Sequence, residues 1–164
     1  MPKPLVPIIM GSKDDLKHAE LIGEQLANQW GIPSRYRVAS AHKHPEYTLK
    51  LLREYDKSTE FDIVYVTVAG RSDALSGVVS ANTTKPVIAC PPYSDKFGGA
   101  DIYSSLRMPS RASATVSLEP KNAADAVAKI FALSRKDLSR KVERYLSETK
   151  KGIEKADKEV SGDW

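Results

Sequence analysis

Apolar positions along this chain follow two rhythms. Apolar runs at residues 5–10, interrupted only by Pro7, at 61–69, nearly all apolar, and at 86–90, with more mixed ones at 35–39 and 112–118, read as strands of a buried sheet. The run at 61–69 is the strongest, so it predicts the central strand. Between the runs the spacing lengthens to three and four. Leu16, Ala19, Gly23, Leu26 and Ala27, with Trp30 beyond, make one apolar face that Gly31-Ile32-Pro33 ends. Thr48, Leu51, Leu52 and Tyr55 make another, opened by Pro45 at a position where a missing N–H costs nothing. Further helices are predicted at 74–81, 101–107 and 121–133. A strongly charged tail keeps an apolar stripe at Leu138, Val142, Tyr145, Ile153, Ala156 and Val160. Strand and helix alternate about five times, which predicts an α/β fold with a parallel sheet covered on both faces.

Composition narrows the picture. A length of 164 residues suits one domain with a full core, and 41% hydrophobic with 28% charged residues is the balance of a globular protein. With Cys90 as the single cysteine, a disulfide framework or CxxC site within one chain is excluded. The first apolar run is too short to span a bilayer, and no cleavage site follows it; a cytoplasmic protein with no membrane partner is expected. Net charge is +4, but the nine Lys/Arg and seven Asp/Glu of residues 135–164 are interleaved, as on a solvated helix face. No aromatic-rich basic stripe is present, so no nucleic-acid partner is expected.

Candidate chemistry lies in three turns at strand ends, where open α/β sheets place their ligands. The first is Gly11-Ser12-Lys13-Asp14-Asp15, with the S-x-x-D spacing of a capping box. Its N–H groups and Ser12 hydroxyl suit an anion, and the Asp15 carboxylate suits sugar hydroxyls. By spacing alone, an ordinary helix cap is the favoured alternative. The second turn is Ser40-Ala41-His42-Lys43-His44-Pro45. His42 is a candidate proton-transfer group or a structural histidine; His44 is expected to cap the helix begun by Pro45. A metal site is not expected, because His18 on the first helix is the only third histidine. The third turn, Gly70-Arg71-Ser72-Asp73, either positions a polar ligand group or is a charged connection. Cys90 is expected in the core, and the long connection 91–100 is expected to be functional.

Taken together these turns resemble a family. Residues 11–15 are similar to the G-S-x-S-D turn, and residues 40–45 to the S-A-H-R/K-x-P turn, of the phosphoribosylaminoimidazole carboxylases and mutases of purine biosynthesis. Ala69-Gly70-Arg71-Ser72-Asp73-Ala74-Leu75-Ser76-Gly77 resembles the A-G-R-S-N-A-L-S-G of the CO2-using class II enzymes rather than the G-G-A-A-H-L-P-G of class I mutases. Residues 104–110 and 119–124 also fit class II, and the resemblance covers residues 5 to about 133. It implies a three-layer α/β/α sandwich with a flavodoxin- or Rossmann-like parallel sheet at 1–134, assembled as a tetramer or octamer. The apolar stripe of the tail separately predicts a helical extension of the same domain at 135–164 that packs on a neighbouring subunit. The resemblance also implies reversible carboxylation of 5-aminoimidazole ribonucleotide (AIR) by CO2 to 4-carboxy-5-aminoimidazole ribonucleotide (CAIR), without biotin, ATP or metal. By the same resemblance Gly11, Ser12, Ser40 and Lys43 line the substrate site, with Ser12 and Lys43 on the phosphate. Asp15 takes the ribose hydroxyls, Gly70 and Ser72 line the site, and His42 carries the proton. Two residues depart from the pattern: Asp14 replaces a serine and Asp73 an asparagine. The rival readings are a class I mutase acting on the N5-carboxylated isomer, and a non-catalytic nucleotide-binding module on the same scaffold.

Overall fold

The computed structural model describes residues 1–162. Its sheet contains β1 (Lys3–Met10), β2 (Ser34–Val38), β3 (Phe61–Ile63), β4 (Tyr65–Val68), β5 (Val87–Ala89) and β6 (Thr115–Val116), every pair parallel. The strand order is β2-β1-β4-β5-β6, with β3 pairing β1 beside β4. The helices are α1 (Leu16–Gln25), α2 (Pro45–Asp56), α3 (Ala74–Ala81), α4 (Ile102–Leu106), α5 (Pro120–Ala132) and α6 (Lys136–Ser161).

Residues 61–69 were expected to form one strand. They lie along β1 in a single register, Lys3 opposite Phe61 and Ile8 opposite Val66, yet the pairing lapses at Val64. The cause is Pro7. Val64 N–H reaches Leu5 C=O at 3.4 Å, and in this register the Val64 carbonyl would accept from the N–H of residue 7, which proline lacks. The ladder resumes beyond it, with Gly11 N–H on Val68 C=O at 2.9 Å. Counting β3 and β4 as one interrupted strand gives the doubly wound order 2-1-3-4-5.

Alternation along β1 divides the core. Leu5 and Ile9 join Leu51, Leu52 and Tyr55 of α2 and Leu75 and Val79 of α3 in one cluster. The opposite face of the sheet is covered by α1 with Ala19, Ile22 and Leu26 buried, completing three layers. α1 runs on as a π-helical turn, Leu26–Trp30, closed by Gly31 in the left-handed region. Trp30 Nε1 and Gln25 Nε2 both donate to Asp125 Oδ1, at 2.9 and 3.1 Å, so this widened turn is anchored on α5.

Two further expectations are corrected. The run at 112–118 yields only two strand residues, because Ala112 N–H closes a turn on Pro109 C=O and Arg111 has φ 69°. His44 occupies the N-cap position of α2 but its ring does not cap; Nδ1 faces Glu46 Oε2 at 3.4 Å. The chain divides into two compact units, Met1–Val127 and a second from Ala128 onward. Within the second, Leu138 is buried, Val142 and Tyr145 are half-buried, and Ile153 and Val160 are exposed.

Candidate active site

Parallel pairing brings the carboxyl ends of β1, β2 and β4 to one edge. Ala39 N–H donates to Met10 C=O and Gly11 N–H to Val68 C=O, so the three turns that follow start side by side. They enclose a cleft of about 560 Å³. All eight residues singled out from the sequence line it: Gly11, Ser12, Asp15, Ser40, His42, Lys43, Gly70 and Ser72. Arg71, Pro92, Ser94 and Lys96 line it as well. Arg71 was within a recognised turn; Ser94 and Lys96 were signalled only by the length of the connection that carries them.

The first turn is built by its own hydrogen bonds. Ser12 N–H donates to Asp15 Oδ2 at 3.0 Å, and Ser12 Oγ accepts from Asp14 N–H at 3.2 Å, the reciprocal pattern that the spacing predicted. Burial pushes the Asp15 carboxyl above its ordinary range; the Ser12 N–H pulls it down, Asp14 pushes it up and His18 opposes. In the second turn Ser40 Oγ accepts from Lys43 N–H at 3.3 Å and Ser40 C=O from His44 N–H at 2.8 Å, leaving His42 and Lys43 exposed at the rim. Lys43, Arg71 and Lys96 share the lining with Asp14 and Asp15, so the cleft combines cations suited to an anionic group with carboxylates suited to hydroxyls. Asp73 does not line the cleft; it is buried and caps α3, accepting from Ser76 N–H.

Cys90 is fully buried, as expected, and meets His18 Nε2 at 3.4 Å. Burial pushes the thiol up to about 12, with Glu119 adding to the rise. It also lowers the His18 imidazole, against Cys90, Asp15 and Glu119. Both groups are therefore neutral at pH 7, a packing contact rather than an activated thiolate pair. Among the described residues no group of three or more His, Cys, Asp or Glu is placed to hold a metal ion, and no helix is long and apolar enough to cross a membrane.

Against known families, residues 5–152 match the model of AIR carboxylase. The chain belongs to the AIR carboxylase family. Among relatives of this family, the chain is 56% identical to phosphoribosylaminoimidazole carboxylase of Archaeoglobus fulgidus, over 93% of this chain and 83% of that one. It is 49% identical to the protein of the same name from Treponema denticola, over 88% and 89%. The crystal structure of Treponema denticola PurE superposes with a TM-score of 0.92 at 46% identity, covering 96% of this chain and 99% of that chain. The AIR carboxylase match extends beyond the turns that carry the resemblance, through most of α6.

Proposed function

We propose that this chain is a class II AIR carboxylase, adding CO2 reversibly to AIR to give CAIR, and that it works as a homo-oligomer. The observation that carries this reading is the convergence of three family-matching turns on one cleft with cations, carboxylates and an imidazole in its lining. Lys43 and the Ser12 turn hold the phosphate, and Asp15 takes the ribose hydroxyls. Binding energy spent there, remote from the reacting carbon, orients the aminoimidazole ring.

The substrate's amino group makes the adjacent ring carbon nucleophilic. Its attack on CO2 forms a carbon–carbon bond and leaves that carbon tetrahedral, bearing carboxylate and hydrogen. His42 takes this hydrogen as a proton and aromaticity returns. In reverse, His42 protonates the carbon and the carbon–carbon bond breaks to release CO2. An imidazole exposed at the mouth of the cleft exchanges its proton with water between turnovers.

The test offers AIR with dissolved CO2, and the N5-carboxylated isomer without it, at matched concentration. Carboxylation of AIR that rises with CO2, with little use of the isomer, is expected. Rapid CO2-independent conversion of the isomer would mark a mutase instead, and binding without turnover would mark a non-catalytic module.

A further inference from the structure

We propose that Asp73, Ser104 and Ser105 are positioning residues, a clasp that fixes the Arg71–Ser72 wall of the cleft against α4. This rests on the reading of the cleft as the active site. The wall needs holding. Arg71 carries a Cβ yet has φ 61°, a sparsely populated conformation that persists only where its surroundings over-determine it.

The surroundings are these three side chains. Ser104 Oγ accepts from Asp73 N–H at 3.0 Å. Its single proton has two acceptors within reach, Asp101 C=O at 2.8 Å and Arg71 C=O at 3.2 Å, and is shared between them. One hydroxyl of α4 thus grips the backbone on both sides of Ser72. Asp73 completes the lock with both carboxylate oxygens: Oδ1 accepts from Ser76 N–H at 2.9 Å and Oδ2 from Ser105 O–H at 2.7 Å. Asp73 is 4% exposed and Ser105 2%, so an apolar replacement at 73 would strand a buried donor on each side.

None of the three lines the cleft, whereas the residues they hold do. α4 also follows directly on the connection that supplies Pro92, Ser94 and Lys96 to the cleft lining. The clasp therefore ties two cleft-lining segments that are about twenty residues apart in sequence. It also gives Asp73 a task that an amide can share. The Oδ1 of an asparagine would accept from Ser76 N–H, and its Nδ2 would donate to Ser105 Oγ.

The experiment compares wild type with Ser104→Ala, Ser104→Thr and Asp73→Asn. Hydrogen exchange on the substrate-free protein is expected to quicken at the amides of residues 71–73 in Ser104→Ala, with β1 and β4 unchanged. With AIR and CO2, kcat/KM is expected to fall roughly 10- to 100-fold in Ser104→Ala, the scale of a misplaced positioning group. Ser104→Thr, which keeps the hydroxyl, should restore it to within about threefold, and Asp73→Asn should remain close to wild type. Unchanged exchange at 71–73 in Ser104→Ala would overturn the clasp. Quickened exchange with unchanged kcat/KM would overturn its positioning role. Absence of wild-type turnover would defeat the proposed function, while the exchange comparison would still decide the clasp.

Discussion

At Asp15 two demands meet in one carboxylate. It is bonded to Ser12 N–H as a cap, and it lines the cleft. Burial raises its pKa from the usual 3.8, so the folded chain holds the proton to higher pH than the unfolded chain does. Stability therefore declines as pH rises through that window, and ionised Asp15 is a cost at neutral pH. Asp15→Asn keeps an acceptor for Ser12 N–H without the charge. Its melting temperature should exceed wild type at pH 7, with the gap closing below about pH 4. The same variant should raise KM for the ribonucleotide by about tenfold, because a charged acceptor is lost. A melting difference that does not change with pH would remove the electrostatic account. His42 makes a contrasting case. It is exposed and its turn is held by Ser40, so His42→Asn should fold and bind ribonucleotide normally. Turnover should drop by about 10²-fold or more; near-normal turnover would exclude His42 as the proton carrier.

Among the elements, α6 asks for a partner. It is 26 residues long, and its apolar stripe passes from the buried Leu138 to Ile153 and Val160, exposed at 66% and 90%. Gly152 interrupts the exposed half, which costs roughly 1 kcal/mol relative to alanine, and an isolated helix gains little stability without packing. We predict that α6 docks on a neighbouring subunit. A chain ending at Ser134 should scatter light as a smaller assembly than the full chain; an unchanged assembly would rule out that docking. The other elements show what periodicity can and cannot carry. Helix α2 begins at Pro45 and buries Thr48, Leu51, Leu52 and Tyr55, as its spacing required. The lapse at Val64 was invisible in its own apolar run, since its cause is a proline on the neighbouring strand. The loss of most of strand 112–118 reflects local turn geometry at Arg111, which an apolar pattern does not encode.

At the scale of the molecule, the sequence by itself determined the alternation of strands and helices and the buried face of α2, whereas on α1 it included the exposed Ala27 and missed the buried Ile22. It also determined the capping box at Ser12 and Asp15 and the motifs in three turns. These are properties of neighbours along the chain, where period, cap spacing and turn chemistry act directly. The tertiary structure decided what depends on pairing. The order β2-β1-β4-β5-β6 places turns about thirty residues apart around one cleft, which no local pattern specifies. It drew Ser94 and Lys96 into the lining and took Asp73 out of it, handing that carboxylate to Ser76 and Ser105. It also set Cys90 against His18, 72 positions apart, where burial raises the thiol and lowers the imidazole. Burial and long-range hydrogen bonds arise only when distant segments share a place, so the residue types were legible in the chain and their assignments became so only in the fold.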